Sequence, residues 1–280
     1  FRAIVGFKSD NHQSALGWRR VPFIWMGTLL QFGGFAIMPF ALLVLSGSGQ
    51  SADVPAWIGH AAAALAFLLV GSGVHTTQTV GLALATDLAP TESQPKVVGL
   101  MYAMLLIGMI LSAFIFGTML SDYSPGRLIQ VIQGAAAATM ILNVTALWKQ
   151  ESRSDQYRIG QPRKELAFTE AWSLFIDGEN ARRRLWVVGM GTMAFTMEDV
   201  LLEPYGGEIL DLSVAFTTTL TATLAIGGLA GFAWASKVLA RGTDPFRMAG
   251  NGALLGIPAF IAVMSAAPLH SVTLFAIGTF

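Results

Sequence analysis

The sequence predicts an all-α membrane protein built of two helical halves joined by a polar linker. Hydrophobic residues make up 54% of the 280 residues and charged residues only 12%, about half the charged share that is usual in a soluble domain. Long apolar segments alternate with short polar loops, and the segments reach the roughly 20 residues that a membrane-crossing helix requires. The central segment 149–184 holds eight of the 17 lysines and arginines. These observations exclude an ordinary soluble enzyme.

Seven apolar segments are long enough to cross a membrane, and an eighth begins at the end of the sequence. A polar loop over 1–20 is expected before the first of them, and the fifth is expected to end at the sequence PYGG (204–207). Because the sequence starts at Phe1 and ends inside an apolar run, we expect a piece of a longer protein, cut at both ends. The predicted spans are 21–45, 56–85, 97–120, 128–147, 185–204, 214–236 and 248–267, followed by the start of an eighth at 272–280.

The charges of the loops predict the orientation. If the linker is cytoplasmic and the spans alternate, 16 of the 17 lysines and arginines lie in cytoplasmic loops, and Arg127 is the exception. Cytoplasmic loops of membrane proteins carry such an excess of basic residues, and one missed span would scramble the pattern. The loops 46–55, 121–126 and 206–211 are therefore predicted to face the periplasm. Since topology explains the basic charge, we expect no nucleic acid among the partners.

A faint repeat indicates how the spans are organised. Gly17 is followed ten residues later by GTLL (27–30), and Gly242 is followed ten residues later by GALL (252–255). The offset of 225 residues makes the first span the counterpart of the seventh, six spans later. Two six-span halves related by a parallel repeat are the architecture of the major facilitator superfamily. We therefore predict a bundle of this type. The N-terminal half covers 1–148 (spans 3–6), the cytoplasmic linker covers 149–184, and the C-terminal half covers 185–280 (spans 7–9 and the start of 10).

The loop before the first span contains Gly6, Asp10, Gly17, Arg19 and Arg20. It is similar to the inside loop motif of that superfamily, G-x-x-x-D followed by G-x-R-R, although Asp10 and Gly17 lie four residues further apart than in the common form. In that motif glycine permits close helix approach, and the aspartate caps a helix or pairs with arginine at the gate between the halves. We expect Arg19 and Arg20 to anchor the loop to the opposite half. The alternative is a solvated loop that only sets topology.

The second predicted span carries a polar stripe on one helix face. His75 lies near the middle of the membrane, where an ionisable residue is a functional candidate by default. A neutral imidazole there can ligate the magnesium of a chlorin, carry a proton, or bond to a neighbouring helix. Gln78 beside the stripe and Gln31 in the first span could ligate magnesium instead. The stripe consists of Ser72, His75, Thr76, Thr79 and Thr86.

The fifth predicted span carries an acidic cluster, Glu198, Asp199 and Glu203, towards its outer end. Carboxylates at this depth are costly unless they face a cavity or a partner. The alternative is an acidic cap at the membrane surface, where the span stops early. The chain has no cysteine and no zinc-type spacing, so we expect no metal site formed by the protein alone.

Three stretches resemble the PucC/LhaA family, the bacteriochlorophyll-delivery branch of the major facilitator superfamily. They are residues 6–47, 86–102 (TDLAPTESQPKVVGLMY) and 197–210 (MEDVLLEPYGGEIL). The resemblance covers essentially the whole chain and is weakest in the linker. It implies a non-enzymatic protein of a bacterial inner, intracytoplasmic membrane. This protein would assemble light-harvesting antenna complexes by delivering bacteriochlorophyll, its cargo, to antenna polypeptides. Membrane lipid, antenna polypeptides and pigment-synthesis enzymes are then the expected partners.

Two other functions stay open. One is a proton-coupled secondary transporter of a tetrapyrrole or another small molecule, with His75 or Asp199 carrying the proton. The other is an accessory subunit of bacteriochlorophyll synthesis. A synthase itself is disfavoured, because we expect Asp10 and Asp87 to stand alone on separate loops, with no inside acidic cluster for a magnesium-diphosphate substrate. The family role requires a pigment site, and the stripe around His75 is our candidate.

Overall fold

The computed structural model describes residues 1–47, 54–154, 167–239 and 241–280, and all regular secondary structure in these ranges is helical. A single 3₁₀ turn, Thr91–Ser93, precedes α4. The α-helices are α1 (Arg2–Asp10), α2 (Val21–Leu45), α3 (Ala56–Leu88), α4 (Gln94–Met119), α5 (Pro125–Leu147), α6 (Phe168–Ile176), α7 (Ala181–Glu208), α8 (Val214–Leu239), α9 (Pro245–Ala266) and α10 (Val272–Thr279).

Seven helices in the described part of the chain, α2–α5 and α7–α9, are long and apolar enough to cross a membrane. These helices are strongly apolar, yet few of their residues are buried inside the protein: about 28% in the most apolar part of α2 and 6% in that of α4. Helices that are apolar all round need a lipid environment, which also requires every backbone polar group to be bonded within the helix. The predicted fold class, a helical membrane bundle with seven spans, is confirmed.

The predicted loop over residues 1–20 is wrong in its first half, where α1 forms. Val5 and Ser9, four residues apart, are buried on one side of α1, which packs against α3. Four of the nine residues of α1 are polar, so its average composition is that of a loop, and its buried side includes the polar Ser9. This helix fixes the position of the residues that precede the inside loop motif.

The fifth span is longer than predicted at both ends. Helix α7 begins at Ala181 within the predicted linker, and it continues through Pro204 to Glu208. A proline removes one backbone hydrogen bond and usually ends a helix, but membrane helices tolerate it. The predicted end at residue 204 is therefore wrong by about one turn. The predicted linker also contains α6, a nine-residue helix.

The chain folds into two compact units. The first comprises Phe1–Val98 and Pro125–Phe175, and the second comprises Gly99–Ser124 and Ile176–Phe280. Most of α4 thus belongs to the second unit, and the described residues of the linker up to Phe175 belong to the first. These boundaries differ from the predicted ones at 148 and 185. The assignment of the spans to two repeated halves stays a prediction.

Glycines allow α2 and α3 of the first unit to pack closely. A Cβ atom on Gly73 would lie 2.5 Å from the carbonyl oxygen of Gly27, and one on Gly34 would lie 2.7 Å from that of Ala66. Small residues allow membrane helices to approach this closely. The resulting van der Waals contacts hold the helices together, because apolar lipid leaves no hydrophobic driving force between them. The core of the second unit is formed by Leu202, Leu220, Ala266 and Phe275.

Candidate functional site

Arg20 is the last residue of the inside loop motif, and from the start of α2 its side chain contacts α1 and α3. Its side chain is only 6% exposed, and it forms ion pairs with Asp10 (Nη1–Oδ1, 2.6 Å) and Asp87 (Nε–Oδ2, 2.9 Å). Its Nη1 also donates to the hydroxyl of Ser9 at 3.0 Å. The guanidinium of Arg19 binds the same oxygen of Asp87. A buried guanidinium is tolerated only when carboxylates compensate it in this way.

These contacts correct our expectation that Asp10 and Asp87 stand alone on separate loops. Asp10 is the last residue of α1 and Asp87 lies in the last turn of α3. Carboxylates at helix C-termini are disfavoured by the helix dipole, and the two arginines offset this. The carboxylates bound here belong to the same unit as Arg19 and Arg20, whereas anchoring to the opposite half stays a prediction.

The carboxylate of Glu151 caps the N-terminus of α2 from 130 residues away in the sequence. It accepts hydrogen bonds from the backbone N–H groups of Arg19 (2.9 Å), Arg20 (3.1 Å to each oxygen) and Val21 (2.9 Å). The N-cap residue of α2, Arg20, makes no such bond with its own side chain. An anion at this position binds free N–H groups and the positive end of the helix dipole.

The residues after Glu151 dock on the same loop. The Ser154 N–H donates to the Gly17 carbonyl at 3.1 Å, and the guanidinium of Arg153 lies 5.2 Å from the centre of the Trp18 ring. Gly17 has φ +73°, and a Cβ atom there would lie 2.6 Å from the Ser154 carbonyl oxygen. We call residues 17–21 with 151–154 the loop–linker junction. Gly17 is required in this junction on both conformational and steric grounds.

Gly6, by contrast, is not needed for close packing. A Cβ atom there would lie 3.8 Å from Thr79, an ordinary contact distance. The hydroxyl of Thr79 is itself buried without a hydrogen-bond partner in the described part of the chain. The face of α3 against α1 thus keeps one free polar group.

His75 forms a polar cluster with Arg2 and Gln78. Arg2 donates to Nδ1 of His75 from Nε (3.1 Å) and Nη2 (2.5 Å), and to Oε1 of Gln78 from Nη2 (3.1 Å). Since a guanidinium can only donate, the neutral imidazole carries its proton on Nε2. In this arrangement the ring can donate a hydrogen bond to a ligand carbonyl, and magnesium ligation requires Arg2 to release Nδ1. The sequence analysis missed Arg2, because residues 1–20 were interpreted as a loop.

Gln31 has a different environment from the one expected of a magnesium ligand. It is 7% exposed, and its amide nitrogen donates to the hydroxyl of Thr77 at 3.0 Å and to the Gly27 carbonyl at 3.3 Å. The bond to Thr77 ties α2 to α3, and the bond to Gly27 lies within α2.

The acidic residues of α7 do not gather into one site. Glu203 accepts a hydrogen bond from the hydroxyl of Thr221 on α8 at 2.7 Å. Asp199 and Glu203 are exposed, and Glu198 is half-buried. Among the described residues, no group of three His, Asp or Glu side chains is arranged to hold a metal ion.

Two adjoining cavities lie beside α1 and α2, and Lys8 and Phe23 line both, whereas α3 contributes only to the larger one. The larger, of about 390 Å³, is mostly apolar and includes the hydroxyl-bearing Ser72 and Thr76 of the predicted stripe. His75 does not line it. The smaller, of about 340 Å³, has a more polar wall formed by Asn11, His12 and Gln13. Together they suit an amphiphile with an apolar body.

Comparisons with known proteins agree on one family. The family described as "PUCC protein" matches residues 1–280. "Protein PucC" of Rhodovulum sulfidophilum is 63% identical over 282 residues, which cover 100% of this chain and 62% of the relative. "Protein PucC" of Cereibacter sphaeroides is 58% identical over 279 residues, which cover 100% of this chain and 61% of the relative. The chain thus spans about three-fifths of the length of these relatives. "Bacteriochlorophyll synthase 44.5 kDa chain" of Rhodobacter capsulatus is 25% identical over 158 residues, 56% of this chain and 36% of the relative. No solved structure matches.

Proposed function

Because this chain belongs to the PucC family, we propose that it is a factor for assembling light-harvesting antenna complexes, which delivers bacteriochlorophyll to antenna polypeptides within the membrane. The proposal places it in the LhaA-containing branch of the major facilitator superfamily and gives it no catalytic role. Its partners are then membrane lipid, antenna polypeptides and enzymes of pigment synthesis. The family membership and the seven apolar helices support this choice.

The observation that carries the pigment part of the proposal is the apolar cavity of about 390 Å³ beside the polar stripe. Its volume lies at the small end of the range of ligand sites, so it suits the isoprenoid tail of a bacteriochlorophyll or one edge of its ring. The hydroxyls of Ser72 and Thr76 are the polar groups of its wall on α3, although Thr76 already donates to the Ser72 carbonyl at 2.8 Å.

The cluster of His75, Arg2 and Gln78 supports the proposal through hydrogen-bond donors. With Arg2 on Nδ1, the Nε2–H of His75 can donate to a ligand carbonyl, whereas a protonated ring nitrogen cannot ligate magnesium. Bacteriochlorophyll carries ring carbonyl groups that accept such bonds. We therefore propose recognition of the periphery of the ring at His75, with magnesium ligation as the alternative that displacement of Arg2 would allow.

Pigment co-purification tests the proposal. The full-length protein is purified from membranes that make bacteriochlorophyll but no antenna polypeptide, and bound pigment is measured by absorbance. Ser72→Leu fills the apolar cavity and is expected to reduce bound pigment several-fold. Gly71→Leu is the matched control, since a Cβ atom there meets open space. Absence of pigment from the unsubstituted protein, or equal pigment in both variants, would contradict pigment binding in this cavity.

An accessory role in bacteriochlorophyll synthesis is the second candidate, because a relative is named as a chain of bacteriochlorophyll synthase. This candidate predicts that deleting the protein lowers total pigment even when no antenna is made. The assembly role predicts normal pigment synthesis and a loss of antenna complexes only. A proton-coupled transporter would instead show pigment movement that depends on a pH gradient across vesicles.

We propose a bacterial inner, intracytoplasmic membrane as the location, with the linker 149–184 in the cytoplasm. The support is the asymmetry of the basic residues: apart from Arg2, which contacts His75, 15 of the other 16 lysines and arginines lie in the segments that this topology places in the cytoplasm. Cysteines introduced at Ser48, which lies outside the described residues, and at Ser154 are expected to react with an impermeant reagent from opposite sides of sealed vesicles. Labelling of both from the same side would contradict this topology.

A further inference from the structure

We propose that α6 (Phe168–Ile176) is a membrane-surface helix, whose aromatic face lies in the lipid headgroup region next to the ends of α2 and α3. This inference concerns the linker and does not depend on pigment delivery. It rests on the distribution of side chains around α6, on the contact of its first end with α1 and the short connection of its second end to the spanning helix α7, and on the chemistry of its exposed face.

The aromatic residues of α6 lie on one side of the helix, and the exposed Leu174 is an apolar residue outside this face. Phe168, Ala171, Trp172 and Phe175 follow the three- and four-residue spacing of a helix face. The rings form a continuous row: Phe168 and Trp172 stack with centres 6.0 Å apart, and Trp172 and Phe175 with centres 5.9 Å apart. Trp172 is 39% exposed and Phe175 is 54% exposed. A stacked aromatic row thus remains partly uncovered by the first unit.

The first end of α6 is held at the level where membrane helices begin and end. The Phe168 ring contacts Phe7 of α1 edge-on, with centres 5.3 Å apart. Phe7 lies less than one turn before Asp10, which the Arg20 ion pairs hold beside the start of α2 and the end of α3. Phe168 is therefore placed near the surface of the membrane.

The position of the C-terminal end of α6 is limited by the short segment that joins it to α7. Only residues 177–180 separate α6 from α7, an apolar spanning helix that begins at Ala181. Five extended residue steps reach at most about 18 Å. With both ends held in this way, α6 cannot move far from the membrane surface.

The exposed chemistry of α6 fits the lipid–water boundary better than either bulk phase. Tryptophan and phenylalanine on one face of an amphipathic helix are typical of helices that lie in the headgroup region. On the other face, Thr169, Glu170 and Ser173 are polar, and Leu174 is an exposed apolar residue. Glu170, Asp177 and Glu179 balance the charge of Arg182, Arg183 and Arg184, so the aromatic face rather than net charge is expected to hold α6, with little dependence on anionic lipid.

Site-directed spin labelling tests the placement, and the absence of native cysteines makes it direct. Single cysteines at Thr169, Ala171, Ser173 and Phe175 are labelled in the full-length protein, which is reconstituted in phosphatidylcholine vesicles with or without 30% phosphatidylglycerol. Accessibility to oxygen, which partitions into lipid, is compared with accessibility to a water-soluble nickel chelate. Labels at Leu142, exposed on α5, and at Asp122, in the turn before α5, give the lipid and water references.

We expect oxygen to dominate at Ala171 and Phe175 and nickel at Thr169 and Ser173, equally in both lipid mixtures. Trp172→Glu should shift the Phe175 label towards nickel, whereas the matched Ser173→Glu should leave it unchanged. Dominant nickel access at all four positions would overturn the proposal in favour of a solvated helix. Low access to both reagents at Ala171 and Phe175 would overturn it in favour of a face covered by protein.

Discussion

Glu151→Ala is expected to loosen the start of α2, although residue 151 lies on the linker. The substitution removes the carboxylate that accepts from the N–H groups of Arg19, Arg20 and Val21 at 2.9–3.1 Å. Loss of an N-cap acceptor costs roughly 0.5–2 kcal/mol, and loss of a negative charge at a helix N-terminus roughly 0.3–1 kcal/mol. A total of about 2 kcal/mol corresponds to a change of about 30-fold in a local opening equilibrium.

Hydrogen exchange of the full-length protein in nanodiscs measures this opening directly, because the affected amides are the donors themselves. Exchange at residues 19–21 should accelerate about 30-fold in Glu151→Ala. Glu151→Gln keeps one acceptor oxygen and should give a smaller increase. Glu92→Ala, an exposed glutamate of the 3₁₀ turn, is the matched control. Unchanged exchange at residues 19–21 in Glu151→Ala would refute the cap.

Three further substitutions test the other features. Replacing Arg19 and Arg20 together by alanine leaves the carboxylates of Asp10 and Asp87 unpaired. We expect the free energy of unfolding to fall by about 1–3 kcal/mol, a range that is discounted for the exposure of the carboxylates. We also expect less antenna complex at normal membrane insertion, and an undiminished amount of antenna would mean that the loop only sets topology. Gly73→Val forces a side chain onto the backbone of α2 and should lower the free energy of unfolding by about 2 kcal/mol or more. Gly71→Val, whose side chain meets open space, should not lower it. Equal thermal stabilities of the two variants would contradict the close packing. His75→Leu should reduce bound pigment at normal expression, and unchanged pigment and antenna would remove His75 from the site.

The membrane spans could be predicted because their signal is local. Twenty consecutive apolar residues make a helix in lipid wherever they occur, so α2 to α5 and α7 to α9 follow from hydropathy alone. The short helices could not be predicted this way. In α1 only Val5 and Ser9 are buried, and Ser9 is polar. In α6 the polar residues Thr169, Glu170 and Ser173 interrupt the aromatic positions along the sequence.

The candidate site was predicted in part. The inside loop motif identified Arg20 and Gly17, both of which are structurally required, while Gly6 has room for a side chain. The sequence analysis identified His75 by its depth in the membrane, yet its partner Arg2 lies 73 residues away. A motif spacing indicates which residue types belong together, but it does not show which distant residue completes their hydrogen bonds.

By itself the sequence predicted the seven long apolar helices found in the described residues and the positions of the basic residues along the chain, because hydropathy and charge are properties of a single segment. Only the tertiary structure decided that Arg20 joins Asp10 to Asp87, that Glu151 caps α2, and that Arg2 occupies Nδ1 of His75. The physical reason is that each of these groups was satisfied by a partner from another helix or from the linker. Helix packing, rather than any local pattern, brought those partners within hydrogen-bond distance.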